Sequence, residues 1–318
     1  MNRESGGRET VRFFNVHIHI FNPGLILSCE TIFQMTPDPN KSRFLRRLFR
    51  WLVAGLVIYM AACIGCAFYQ RKLIYFPPRY TTSQVDEAGR ASGLERWTNR
   101  SGQIIGMKRM SSRQPAKAQL LIVYGNGNWT VGCAHYADEI QSLVEFDVFI
   151  LEYPGYADRA GSPSEKNIFH AADEALQLLS TNKPVYLVGE SLGSGVAAYL
   201  AGTQPGKITG TILLSPFNRL TSVAQERMPL FPVWLMLVDR FPSEKYLQHY
   251  HGPVGVVVDG RDNVVPEKFG IRLFDAYTGP KQIWNFPDGD HISITEPSAK
   301  FWGEVLDFWK TNQRTISK

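Results

Sequence analysis

Five apolar runs of strand length recur after residue 100: QLLIVY at 119–124, DVFILEY at 147–153, PVYLVG at 184–189, residues 208–215, and VGVVVDG at 254–260. Each is continuous rather than alternating, so each needs cover on both faces, which is the condition of an inner strand in a parallel sheet. The stretches at about 133–144, 165–180 and 192–202 carry helical spacing instead. A short strand, QIWNF, and a last helix at about 296–310 follow. Strand and helix in repetition predict an α/β domain on a mainly parallel sheet.

Ahead of that domain, residues 51–70 (WLVAGLVIYMAACIGCAFYQ) contain no charge. About twenty apolar residues suffice to cross a bilayer core. Lys41, Arg43, Arg46, Arg47 and Arg50 precede the run, whereas only Arg71, Lys72 and Arg79 follow closely. The bias predicts a signal-anchor with its N-terminus in the cytoplasm and the rest of the chain across the membrane. A lipoprotein-like signal ending at Cys63 or Cys66 is the competing reading, and it also leaves the domain membrane-attached on the outer side. The expected organisation is a basic, unstructured region at 1–50, with Met35 a candidate start, then the span at 51–70 and a catalytic-size domain at 71–318. His17 and His19 form an isolated HxH, which lacks a third metal ligand nearby.

The formal net charge of +5 is concentrated in the basic run before the span. With no helix-turn-helix or zinc-finger spacing downstream, nucleic acid is excluded as a partner. The chain is 44% hydrophobic and 20% charged, a balance that allows a large core. Cys29, Cys63, Cys66 and Cys133 are too few and scattered for a disulfide framework. The CxxC at Cys63 and Cys66 has no second ligand pair, so no metal or other cofactor is expected.

The chemistry-bearing signal is Gly189-Glu190-Ser191-Leu192-Gly193, between the apolar strand PVYLV and the small-residue helix SLGSGVAAYLAG. In that context the two glycines permit a tight strand-to-helix elbow with the serine at its tip. A serine hydroxyl needs a base, and the base needs an orienting carboxylate. His291, in FPDGDHISI, and Asp262, in DGRDNVVP just past a strand end, follow in the order serine, acid, histidine. Asp259, Asp288 and Asp290 are rival acids, but Asp290 adjoins the histidine in sequence and cannot easily reach round to its ring. His135 and His170 fall inside helical patterns and read as structural. For a developing oxyanion, the backbone N–H groups of Leu192 and of Asn126 in YGNGNWTVG are the candidate donors. No GK[ST] follows that glycine-rich loop, which excludes a phosphate-cradling P-loop.

Together YGNGNWTVG, LEYPGYADRAGSPSE, GESLGSG, SPFNRLTSVAQE, DGRDNVVP and DGDHISI resemble the α/β-hydrolase superfamily. More narrowly they resemble its serine-aminopeptidase-like branch, which includes membrane-tethered, depalmitoylase-like hydrolases. The resemblance covers about residues 72–312. It implies an eight-stranded, mostly parallel sheet with helices on both faces, a Ser191–His291–Asp262 triad, and hydrolysis of a carboxylic ester or thioester through an acyl-enzyme. A peptide substrate is less favoured than an ester. An acyltransferase with the same triad and a non-catalytic binding module are the alternatives. Tyr124, Ala157 and Asp290 depart from the family pattern, standing where His, Gly and Gly are usual. A short cap is expected at about 217–250. Its segment MPLFPVWLMLVDRF either packs on the sheet as an ordinary helix, the default for apolar helical stretches, or lines an acyl-chain pocket through residues such as Trp234 and Leu235.

Overall fold

The computed structural model describes residues 39–291 and 298–313, with side chains from residue 43 onward. His17, His19, Cys29 and Met35 lie outside the described residues. The chain divides into two compact units, Met1–Gly55 and Leu56–Lys318. The first contributes the beginning of helix α1 (Pro39–Ile74). Its stretch Arg43–Ile74 is long and apolar enough to cross a membrane, and little of it is covered by protein. Residues 51–70 alone rise about 30 Å along a helix axis, the depth of a hydrocarbon core.

The second unit is built on one eight-stranded sheet. Its strands are β1 (Glu95–Thr98), β2 (Ile104–Arg109), β3 (Ala118–Val123), β4 (Phe146–Leu151), β5 (Val185–Glu190), β6 (Ile208–Leu214), β7 (Val254–Asp259) and β8 (Lys281–Phe286). They are ordered β1-β2-β4-β3-β5-β6-β7-β8. β1 and β2 pair antiparallel, β2 also runs antiparallel to β4, and every pair from β4 to β8 is parallel. The five predicted apolar runs are β3 to β7, and every residue of β3, β4, β5 and β7 is buried. The antiparallel edge was not predicted, because a four-residue strand and the amphipathic IIGMKR carry no continuous apolar signal.

Helices α2 (Thr82–Ala91), α3 (Ala134–Leu143), α4 (Glu165–Leu178), α5 (Leu192–Thr203), α6 (Leu220–Arg227), α7 (Val233–Met236), α8 (Ser243–Leu247), α9 (Glu267–Ala276) and α10 (Ala299–Asn312) connect and cover the strands. α3 packs on α10, while α5 packs on α4 and α8, so the two faces of the sheet are covered by different helices. Central α5 is almost wholly buried, which its small residues allow: a Cβ on Gly202 would strike the Tyr246 backbone, and one on Gly195 would press on Phe241. The last helix is Ala299–Asn312, with Ser298 accepting from Phe301 N–H; Glu296, where the sequence reading started it, lies outside the described residues.

Three short helices, α6 to α8, occupy the expected cap. The packing reading of MPLFPVWLMLVDRF does not describe this segment: only Val233–Met236 is helical, and Trp234 and Leu235 are each 66% exposed. Proline at 229 and 232 breaks the run, so the segment cannot lay one continuous apolar stripe on the sheet.

Candidate active site

β5 is flanked by β3 and β6, and its C-terminal end opens directly into α5. Ser191 lies at that junction with φ 48° and ψ −113°, a conformation that costs a non-glycine residue about 1–3 kcal/mol. The surroundings hold it there. Ser191 N–H donates to Leu214 O at 2.8 Å, and its carbonyl accepts from Ser194 N–H at 2.9 Å and Ser194 Oγ at 2.6 Å. A Cβ on Gly193 would fall on the Val123 carbonyl, and one on Gly189 would come within 2.7 Å of both Ala197 Cβ and Gly193 O. The motif glycines are therefore demanded by contact. Leu192 begins α5, where backbone N–H groups lack intrahelical acceptors and the helix dipole favours negative charge.

Asp262 and His291 come together from separate loops, after β7 and β8. Arg261 N–H donates to Gly289 O at 2.9 Å and Gly260 N–H to Phe286 O at 3.0 Å, tying the two loops side by side. His291 Nδ1 then lies 2.7 Å from Asp262 Oδ2. The same oxygen accepts from Ser215 Oγ at 2.9 Å, while Oδ1 accepts from the N–H groups of Val264 and Val265, each at 2.8 Å. Burial alone would raise this carboxyl. The His291 ring and the two backbone donors outweigh burial and hold it below the usual carboxylate range. Nδ1 facing a carboxylate carries the proton, which leaves Nε2 as the nitrogen able to accept one. Among the described residues no hydrogen bond joins Ser191 Oγ to the ring; burial pushes up the carboxyl of Glu190, next in the chain to Ser191, against the opposing hydrogen bond from Tyr136 OH.

The rival acids occupy other positions. Asp259 is buried beside Asp262, and desolvation followed by repulsion from Asp262 pushes it up to about 7. Asp288 pairs with Arg261 at the surface. His135 and His170 sit in α3 and α4, the helical stretches in which they were expected. Ser215 was missed at the sequence level. Its only signal is its place at the C-terminal end of β6, where open α/β sheets gather functional groups.

The loop after β3 closes the site from the other side. A Cβ on Gly125 would lie 3.3 Å from Ser191 Cβ and 3.0 Å from Glu190 Oε1, so a bare backbone passes over the serine. Asn126 follows, its side chain committed elsewhere: Oδ1 accepts from Tyr156 OH at 2.6 Å and Phe76 N–H at 3.0 Å, and Nδ2 donates to Ile74 O. Gly127 takes φ 80°. Behind the loop Tyr124 OH donates to Glu152, whose other oxygen accepts from Thr130 N–H and Oγ1. Desolvation raises Glu152 to about 7. Ala157, in its glycine-like position, does adopt φ 47°.

A cavity of about 280 Å³ opens at Ser191 and Leu192. Asn126 forms one side of its mouth. Phe217, Leu220, Val223, Val233 and Met236 form a cap wall, and Ala67, Leu73 and Ile74 of α1 form another. Trp234 and Leu235 are not among the lining residues. A wider groove of about 640 Å³ lies at the opposite ends of β5 and β6, away from the serine. Among the described residues no cluster of His, Cys, Asp or Glu is arranged to hold a metal, and Cys63, Cys66 and Cys133 are unpaired thiols.

A family profile described as alpha/beta hydrolase fold matches residues 119–250. An uncharacterized protein of Mycobacterium tuberculosis is 31% identical over 230 residues, covering 70% of this chain and 80% of that one. Lysophosphatidylserine lipase ABHD12 of Danio rerio is 29% identical over 197 residues, 54% of this chain and 50% of the lipase. The esterase Pf2001 of Pyrococcus furiosus shares the fold, with TM-score 0.56 and 14% identity over 75% of this chain and 99% of the esterase. By profile, relatives and fold, the chain belongs to the α/β-hydrolase superfamily.

Proposed function

We propose that this hydrolase is a membrane-tethered serine hydrolase that cleaves carboxylic esters or thioesters through an acyl-enzyme on Ser191. His291 acts first as base, taking the Ser191 proton through Nε2, and then as acid, returning it to the leaving group. Asp262 holds the ring and stabilises it when charged. The N–H groups of Leu192 and Asn126 receive the oxyanion of the tetrahedral intermediate. Water then cleaves the acyl–Ser191 bond, and the same histidine activates it.

The observation that carries this reading is the His291–Asp262 pair at 2.7 Å, taken with a serine that is held at positive φ and lines a cavity. The lipase name of the Danio rerio relative and the esterase name of the structural neighbour agree with an ester substrate. The apolar stretch of α1, with its leading basic run, supports a single-pass anchor with a cytoplasmic N-terminus and an extracytoplasmic domain.

A fluorophosphonate probe tests the mechanism directly, because only an activated serine reacts with it. The full-length protein should be labelled once, at Ser191, and Ser191→Ala should remove the label. A wild-type protein that resists labelling, or a label that survives in Ser191→Ala, would overturn the assignment.

A further inference from the structure

The cavity at Ser191 is built from two parts of the chain that differ in kind. One is the cap. The other is about the last two and a half turns of α1, the helix apolar enough to cross a membrane, which contributes Cys66, Ala67, Gln70, Leu73 and Ile74 to the lining.

α1 is held in that position by specific bonds. The Gln70 side chain accepts from Val238 N–H at 2.7 Å and donates to Met236 O at 3.3 Å. Asp239, almost fully buried, accepts from Tyr75 OH at 2.9 Å and pairs with Arg71 at 3.3 Å. Asn126, at the mouth, also binds Ile74 O. About three turns before Gln70, Tyr59 OH donates to Leu230 O and its ring stacks on Phe231, with centroids 6.1 Å apart. The end of the helix is thus fixed to the cap on one side and to the site loop on the other.

We infer that the C-terminal end of α1 is a wall of an acyl-chain binding site, so that the helix read as an anchor also sets the chain length of the substrate. The inference rests on the hydrolase reading for the role of the cavity mouth and deepens it by naming the substrate class. A substrate carbonyl at Ser191 would leave its acyl chain to run between Ala67, Leu73 and Ile74 on one side and Val223, Val233 and Met236 on the other. Such a lining offers a hydrocarbon chain favourable burial and offers a peptide or sugar few partners. Neighbouring Phe68 is 83% exposed and is not among the lining residues.

The test uses the full-length protein in lipid nanodiscs and a series of p-nitrophenyl esters from acetyl to palmitoyl. Ala67→Phe narrows the wall and should lower kcat/KM on dodecanoyl and palmitoyl esters about tenfold or more, the loss of roughly two buried methylenes, while acetyl and butyryl esters keep their rates. Leu73→Ala should move the optimum toward longer chains, and Phe68→Ala should leave the profile unchanged. Loss at all lengths alike, or no change in Ala67→Phe, would overturn the inference. Binding of cis-parinaric acid to the Ser191→Ala protein separates this from the hydrolase reading: Ala67→Phe in that background should weaken binding whether or not Ser191 is reactive. Undiminished binding sinks the acyl-chain wall even if fluorophosphonate labelling succeeds.

Discussion

Ser215 and Asp259 show how much of the site's electrostatics is decided one residue beyond the proposed triad. Asp262 accepts four hydrogen bonds, from His291, Ser215, Val264 and Val265, so its carboxylate is fixed in both position and charge. Asp262→Asn should cut kcat roughly 10⁴-fold, because an amide presented to Nδ1 favours the wrong tautomer. Ser215→Ala removes a single neutral donor and should cost about tenfold or less. Esterase assays on both variants check the ordering, which reverses if Ser215 rather than Asp262 orients the ring. Asp259 bears on stability. Its folded pKa of about 7 exceeds an unfolded carboxylate's value of about 4, so the stability associated with it is fully present below about pH 4 and lost as pH rises through about 7. Asp259→Asn should therefore raise Tm relative to wild type above pH 7 and leave it unchanged near pH 4. A Tm difference that is flat across this range would show that the carboxyl is not titrating there.

Among the elements, the β5–α5 junction concentrates strain. β5 is buried along its whole length and α5 nearly so, and only glycine at 189 and 193 lets the helix pack down on β3. Gly193→Ala should destabilise by about 3 kcal/mol or more, since the added methyl meets a backbone carbonyl rather than a movable side chain. Thermal unfolding should show that loss, and fluorophosphonate labelling should fall with it. Unchanged unfolding would mean that the elbow can relax. The cap is the opposite case. Its helices are short, its prolines break the apolar run, and Leu230, Trp234, Leu235 and Val238 remain exposed. Periodicity suggested an ordinary packed helix, because it reports that a segment is apolar without reporting whether it covers the sheet or encloses an empty space.

At the scale of the whole molecule, the proposed topology predicts that the protein stays with membranes through alkaline carbonate extraction. It also predicts that protease added to the outer side of sealed cells digests the domain beyond residue 71 while sparing the N-terminus. Full protection of the domain would reverse the assigned orientation. Strands β3 to β7 and helices α3, α4, α5 and α10 were legible in the sequence because burial on two faces, or on one helical stripe, leaves a periodic trace. The short antiparallel edge left none. Ser191 was legible because its glycines are required locally, by chain folding back on itself within a few residues.

The pairing of Asp262 with His291 and the shape of the cavity belong to a different order of information. The carboxylate and the ring are twenty-nine positions apart in the chain, and only the parallel register of β7 and β8, with the backbone bonds between their following loops, brings them within 2.7 Å. The cavity joins α1 to α6 and α7, which lie well over a hundred residues further along the chain. Local sequence determined which segments would be strand, helix or elbow, since those choices are governed by near neighbours and by burial. Which side chains would share a space was settled only when the sheet closed, because contacts between distant segments leave no periodic mark on either one.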